Sequence, residues 1–221
     1  RLAVGQSTAQ DVESLLDDQP STIPALDIEV EDFELRGKKL GRVDLEAVNL
    51  GAAGAREWRL NRFNIQTPEA TLTASGNWAN LGGATAGRSL KERRRTVLNF
   101  KLDINNSGEL LTRFGMAGVV RNGKGKVEGQ VAWLGSPITV DYASMGGNFN
   151  VNVETGQFLK AEPGIAKLLG VLSLQSLPRR LTLDFRDVFS EGFAFDFFRG
   201  DIAIEQGIAR TTNRQMKGVN A

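Results

Sequence analysis

Residues 70 to 78 read Ala70-Thr-Leu-Thr-Ala-Ser-Gly-Asn-Trp78, with apolar or small residues alternating strictly with polar ones. The same period of two returns along the chain. Leu98, Phe100, Leu102 and Ile104 alternate with Asn99, Lys101 and Asp103, and Val127, Gly129, Val131 and Trp133 repeat the scheme. Phe149, Val151 and Val153 alternate with Asn148, Asn150 and Asn152, and the pattern is taken up again by Leu181, Leu183 and Phe185 and by Phe193, Phe195 and Phe197. Alternation at about 180° per residue marks strands with one face out of water and one face in it, as in antiparallel rather than buried parallel sheets. The expected fold is therefore mainly β: a large, twisted antiparallel sheet of stacked hairpins with one apolar face, curled into a groove. A closed β-sandwich, in which two such faces cover each other, is the alternative.

Composition excludes several functions. The net charge of the 221 residues is +1, so the chain has no electrostatic signature of a nucleic-acid binder. It has no cysteine and no histidine, which removes disulfides, thiolate chemistry and the usual proton carrier and metal ligand. No stretch approaches the roughly 20 apolar residues that cross a bilayer as a helix. The start Arg1-Leu-Ala-Val-Gly5 is neither an initiator methionine nor a signal peptide, so the chain reads as a piece of a longer one.

Turn signals divide the chain into elements. Residues 1–21 read as a strand remnant and linker, with one short helix over 7–18 before Pro20. Strands are expected over 26–35, 39–50, 57–65 and 69–78, broken at Arg36-Gly37, Gly51 to Gly54 and Thr67-Pro68. Residues 79–96, rich in glycine and then in arginine and lysine, read as a flexible basic loop. Further strands follow at 97–105, 118–122, 124–134 and 138–154, with a short helix begun at Ser107 and ended by Gly115. The last strands are expected near 180–187, 192–199, 201–206 and 208–213, and the whole is expected to form a single β-rich domain over 1–221. The paired strands recur as a degenerate internal repeat, as stacked hairpins would.

The segment Ala161 to Leu177 reads as a helix, with Glu162 and Pro163 in its first turn and Pro178 closing it. Ile165, Leu168, Leu169 and Leu172 form one stripe, while Val171 and Leu174 fall on other sides. The stripe suits the apolar face of a sheet. Val171 and Leu174 would then remain for a membrane surface, lipid or another chain.

Catalytic signals are thin. Glu154, Asp184, Asp187, Glu191 and Asp196 supply carboxylates of the kind glycosidases pair, but the strand phase of Asp184, between Thr182 and Arg186, fits a solvated ion pair. No phosphate loop and no metal-ligand spacing is present. The reading is of a protein that is not an enzyme and needs no cofactor or metal.

The run Gly156-Gln-Phe-Leu-Lys-Ala-Glu-Pro-Gly-Ile-Ala-Lys-Leu-Leu-Gly-Val-Leu-Ser-Leu-Gln-Ser-Leu-Pro-Arg-Arg180, continued through Leu181 to Asp196, resembles the C-terminal portion of the YhdP-type branch of the AsmA-like family. Residues 27–41, 70–78 and 123–137 are similar to it as well. The resemblance implies a periplasmic protein of the Gram-negative envelope, anchored in the inner membrane by a segment outside this chain. It implies a lipid-conducting groove that moves phospholipids toward the outer membrane, with no catalytic residues. On this view Leu72, Phe100, Leu102 and Val131 would line the groove against phospholipid acyl chains, and Val171 and Leu174 would add a lipid or partner contact. A structural or interaction sandwich module of the envelope is the second functional reading.

Overall fold

The computed structural model describes residues 23–35, 37–51, 57–81, 94–159 and 193–218. Among the described residues the alternating runs become nine strands: β1 (Leu26–Leu35), β2 (Lys38–Leu50), β3 (Glu57–Gln66), β4 (Ala70–Asn80), β5 (Arg94–Ile104), β6 (Val120–Leu134), β7 (Gly146–Phe158), β8 (Phe193–Glu205) and β9 (Ile208–Gly218). A short helix, α1 (Ser107–Arg113), links β5 to β6. The strands pair in chain order, each antiparallel to the next, in one open sheet with β1 and β9 at its edges. No second sheet exists among the described residues, so the sandwich alternative gives way to a single layer there.

The alternation slips where the ladder bulges. In β3 the apolar residues are Trp58 and Leu60, then Phe63 and Ile65, a change from even to odd numbers. Leu60 pairs with Gly76 and Phe63 with Ala74, so β3 spends three steps where β4 spends two. The extra residue in β3 absorbs the slip and keeps all four side chains on one face. A similar irregularity between Val30 and Phe33 does the same in β1.

Other boundaries differ from the sequence reading. The two strands expected at 118–122 and 124–134 are one strand, β6, because Asn122 (φ 58°) and Gly123 (φ 89°) bend the chain within the ladder rather than turning it back. The strands expected at 192–199 and 201–206 likewise merge into β8, where Gly200 stays paired opposite Val151. The strand expected from 138 begins at Gly146. Before it, residues 142–144 form one turn of 3₁₀ helix, held by Ser144, whose Oγ donates to Asp141 Oδ2 (2.8 Å) and accepts from the Leu134 N–H (2.9 Å). The 79–96 segment is strand at both ends, since β4 reaches Asn80 and β5 starts at Arg94. The segments 1–21 and 161–177, with Val171 and Leu174, lie outside the described residues.

At several glycines neighbouring strands come close together. A Cβ on Gly129 would stand 2.5 Å from the Cα of Phe149 on β7, and one on Gly125 would stand 2.9 Å from the Cα of Val153. Gly76 meets β5 in the same manner, 3.1 Å from the Leu98 Cα. In a flat antiparallel pair the opposed Cβ atoms stay about 4.5–5.5 Å apart. At these three positions the neighbouring strand therefore lies closer than a side chain would allow. Over Gly129 the rings of Phe100 and Phe149 meet, with centroids 6.1 Å apart and planes at 55°.

At one end of the sheet α1 is fastened by polar contacts. Asn106 caps it by accepting from the Glu109 N–H at 3.2 Å, and Gly108 lies so close to β6 that a Cβ would stand 2.6 Å from Val120 O. Arg113 forms a two-pronged pair with Glu69 in the β3–β4 turn, at 2.7 and 2.8 Å. Arg113 holds the Glu69 carboxyl below the usual carboxylate range, against the opposing effect of partial burial.

Two outcomes follow from this geometry. Gly129→Ala should lower the unfolding free energy by about 1–3 kcal/mol through overpacking against β7. Gly146→Ala, whose Cβ would meet only Ile204 O at 3.4 Å, should stay within about 0.5 kcal/mol of wild type in the same urea titration. For Glu69 the folded-state pKa is depressed, so its contribution is present above the unfolded value of about 4.3 and is lost as pH falls through the folded value. The wild-type stability should decline in that acidic window more steeply than that of Glu69→Gln, measured by denaturation at stepped pH.

Candidate functional site

Strand register carries the apolar residues across the sheet in rows. One row runs Val30, Val43, Ile65, Leu72, Leu102, Val127 and Val151, each directly opposite the next. Beside it lie Ala74, Phe100, Gly129, Phe149 and Ile202, and then Gly76, Leu98, Val131, Gly147 and Ile204. Leu72, Phe100, Leu102 and Val131 thus share one face and neighbouring rows. The sequence pattern had also shown Val127, Phe149 and Val151 in phase, and register places them beside those four. The other face is polar: Thr73, Lys101, Glu128, Asn150 and Asp201 form a matching row.

Burial shows what covers the apolar face. Each strand makes its substantial contacts with its sheet neighbours, and α1 packs on β6, so no element lies across the middle rows among the described residues. Leu72, Phe100, Leu102, Val127, Val131, Phe149 and Val151 are accordingly only partly buried.

The buried tryptophans lie at the end of the sheet away from α1, while Val43 and Ala74 are buried within the middle rows. At that end Trp58, Trp78, Thr96 and Trp133 stand opposite one another on β3 to β6, none more than 6% exposed. Ile23, Ala47 and Leu60 form one buried cluster with Trp58 and Trp78. The Trp58 indole N–H donates to Pro24 O (3.0 Å), that of Trp133 to Ser136 O (2.9 Å), and the Thr96 hydroxyl to Gly135 O (2.8 Å). The Trp78 N–H is buried with no acceptor among the described residues.

Arg94 is the residue that sequence reasoning missed. Assigned to the basic loop, it instead opens β5 in phase with Thr96, Leu98 and Phe100, on the apolar side. Its guanidinium lies 3.4 Å from the centre of the Trp78 ring and Nη2 donates to Trp78 O at 3.3 Å. Burial holds its pKa below the ordinary arginine value, yet a guanidinium remains charged in any physiological medium. The signal was present: stepping the β5 alternation back two residues from Thr96 reaches Arg94.

The carboxylates weighed as catalysts are in ion pairs on the strands. Glu154 lies 3.3 Å from Arg199 and Asp196 lies 3.4 Å from Lys217, while Asp184, Asp187 and Glu191 lie outside the described residues. Phe197 does not continue the apolar phase, because it pairs with Glu154, whereas Phe198 pairs with Val153. Among the described residues no group of three His, Cys, Asp or Glu is placed to hold a metal ion, and no helix is long and apolar enough to cross a membrane.

A single-layer antiparallel sheet with a continuous apolar face, uncovered in its middle rows among the described residues, and a polar back defines a scaffold that presents surface. The chain belongs to the YhdP family, whose model, described as the YhdP protein, matches residues 1–221. It is 30% identical over 186 residues to a protein of Escherichia coli (strain K12) named intermembrane phospholipid transporter YhdP. The match covers 84% of this chain and 14% of that protein, so the chain spans about one seventh of its relative's length. No solved structure matches.

If the middle rows are open to solvent, a charge there can stay hydrated. Leu102→Asp is expected to retain its β circular dichroism spectrum and lose about 1–3 kcal/mol of stability. A variant that unfolds completely would show that the row is covered.

Proposed function

We propose that this chain is a lipid-carrying segment of a longer, non-enzymatic protein that moves phospholipids between the membranes of a Gram-negative envelope. The apolar face of the sheet forms a trough, and the acyl chains lie along the rows of Leu72, Phe100, Leu102 and Val131. The observation that carries this reading is the apolar face, continuous from β1 to β8 and, among the described residues, uncovered by any other element in its middle rows. Each methylene sheltered from water is worth about 0.8 kcal/mol, so an open apolar strip is enough to hold a lipid tail without chemistry. The printed name of the relative supports phospholipid as the cargo. A periplasmic location, with the inner-membrane anchor supplied by a part of the protein outside this chain, accords with that cargo.

The test exploits the strict alternation. A photo-crosslinking residue at Phe100 faces the trough, and one at Lys101 faces the polar back. In cells, or with protein purified under mild conditions, Phe100 should capture phospholipid detectable by mass spectrometry and Lys101 should not. Equal capture at both positions, or none at Phe100, would overturn the trough.

A further inference from the structure

The two edges of the open sheet carry opposite charge. We propose that the acidic edge β1 of one copy of this chain pairs with the basic edge β9 of a second, parallel and head to tail, so that copies join side by side into one wider sheet.

Among the described residues β1 and β9 each have a neighbour on one side only, which leaves a row of backbone N–H and C=O groups along the other. β1 holds Asp27, Glu29, Glu31, Asp32 and Glu34 and no base, whereas β9 holds Arg210, Arg214 and Lys217 and no acid. Arg42 on β2 pairs with Glu29 and Glu31, while Asp27, Asp32 and Glu34 have no ion pair among the described residues. Lys217 lies 3.4 Å from Asp196, and Arg210 has no ion pair among the described residues. Charge on an edge keeps like edges apart, so pairing of β1 with β1, or of β9 with β9, is disfavoured. Between unlike edges the same charges attract.

Topology sets the geometry of the join. Eight successive antiparallel pairings bring β9 round to the direction of β1. A second copy can therefore lay its β1 beside β9, with its apolar face on the same side, only by running parallel. Glu29 stands level with Asp44, and Arg210 with Ala203, itself level with Asn148, so both sets of charge lie in the phase of the polar back and meet on one face. The lengths also agree: ten residues in β1 and eleven in β9, or about 33–36 Å at about 3.3 Å per residue. Because the two partners use different surfaces, no two-fold axis closes the contact, and further copies can add.

The test uses the unaltered chain and no lipid, so it bears on the edges alone and leaves the trough to the crosslinking experiment. In sedimentation velocity the average mass should rise with concentration and pass that of a dimer. Raising the salt from about 0.1 M to about 1 M shortens the screening length from about 10 Å to about 3 Å and should weaken association about tenfold. A monomer at every concentration would overturn the proposal and show that the charges only guard two bare edges; association indifferent to salt would overturn it as well. Two variants then test the pairing itself. Asp27→Lys with Asp32→Lys and Glu34→Lys makes both edges basic, and Arg210→Glu with Lys217→Glu makes both acidic. Each variant alone, with its β circular dichroism spectrum intact, should be monomeric, and an equimolar mixture should associate again. Either variant associating by itself as the wild type does, or a mixture of folded variants that stays monomeric, would rule out the pairing of β1 with β9.

Discussion

Everything in this sheet depends on register. A side-chain period of two means that a slip of one residue would send an entire strand's apolar set to the wrong face. Here Leu72 meets Leu102, Leu102 meets Val127 and Val127 meets Val151, so one row of large apolar side chains crosses four strands without interruption. Cross-strand polar pairs on the back reinforce that alignment. Gln130 donates to Asn99 at 2.7 Å, Asn150 to Asp201 at 2.8 Å and Arg199 to Asn152 at 3.0 Å. Exposed pairs of this kind contribute only about 0.2–1 kcal/mol each, but each is satisfied in one register alone.

Register also decides where neighbouring strands can come close. Gly129 lies between Phe100 and Phe149, so the space its missing side chain leaves is roofed by two rings from the flanking strands. Small residues in line with large ones let neighbouring strands approach while the apolar surface stays continuous. Had the same residues been shuffled along each strand, the pattern of alternation would survive and the close approach would not.

The strand content and the shared face of Leu72, Phe100, Leu102 and Val131 were legible in the sequence, because alternation is a local signal. What it hid was non-local. The pair Asn122 and Gly123 reads as a hairpin turn, and only the partner strand, which continues past it to Phe158, shows that it is a bend inside β6. The three phenylalanines from Phe193 to Phe197 look like one face, but the ladder puts Phe197 opposite Glu154 and hands the apolar phase to Phe198. Arg94 was hidden by its company, since a run of five basic residues over 88–95 invites a single label although its end belongs to a strand.

An uncovered apolar surface is a condition soluble proteins usually avoid. Among the described residues most full burial lies toward the ends of the sheet, with Val43 and Ala74 the buried members of the middle rows. The tryptophan cluster closes one end, and Ala70, Met116 and Val119 are buried near α1 at the other. Among the described residues the large side chains of the middle rows on β4 to β7, such as Leu72, Phe100, Leu102 and Val127, are only partly buried. The edges, where strands invite unwanted pairing, are lined instead with charge and polarity: Asp27, Glu29, Glu31 and Glu34 stand exposed on β1, and Arg210, Asn213, Gln215 and Lys217 on β9. Burial is thus weighted toward the ends and polarity toward the back and edges. That division leaves the large side chains of the central apolar strip partly exposed.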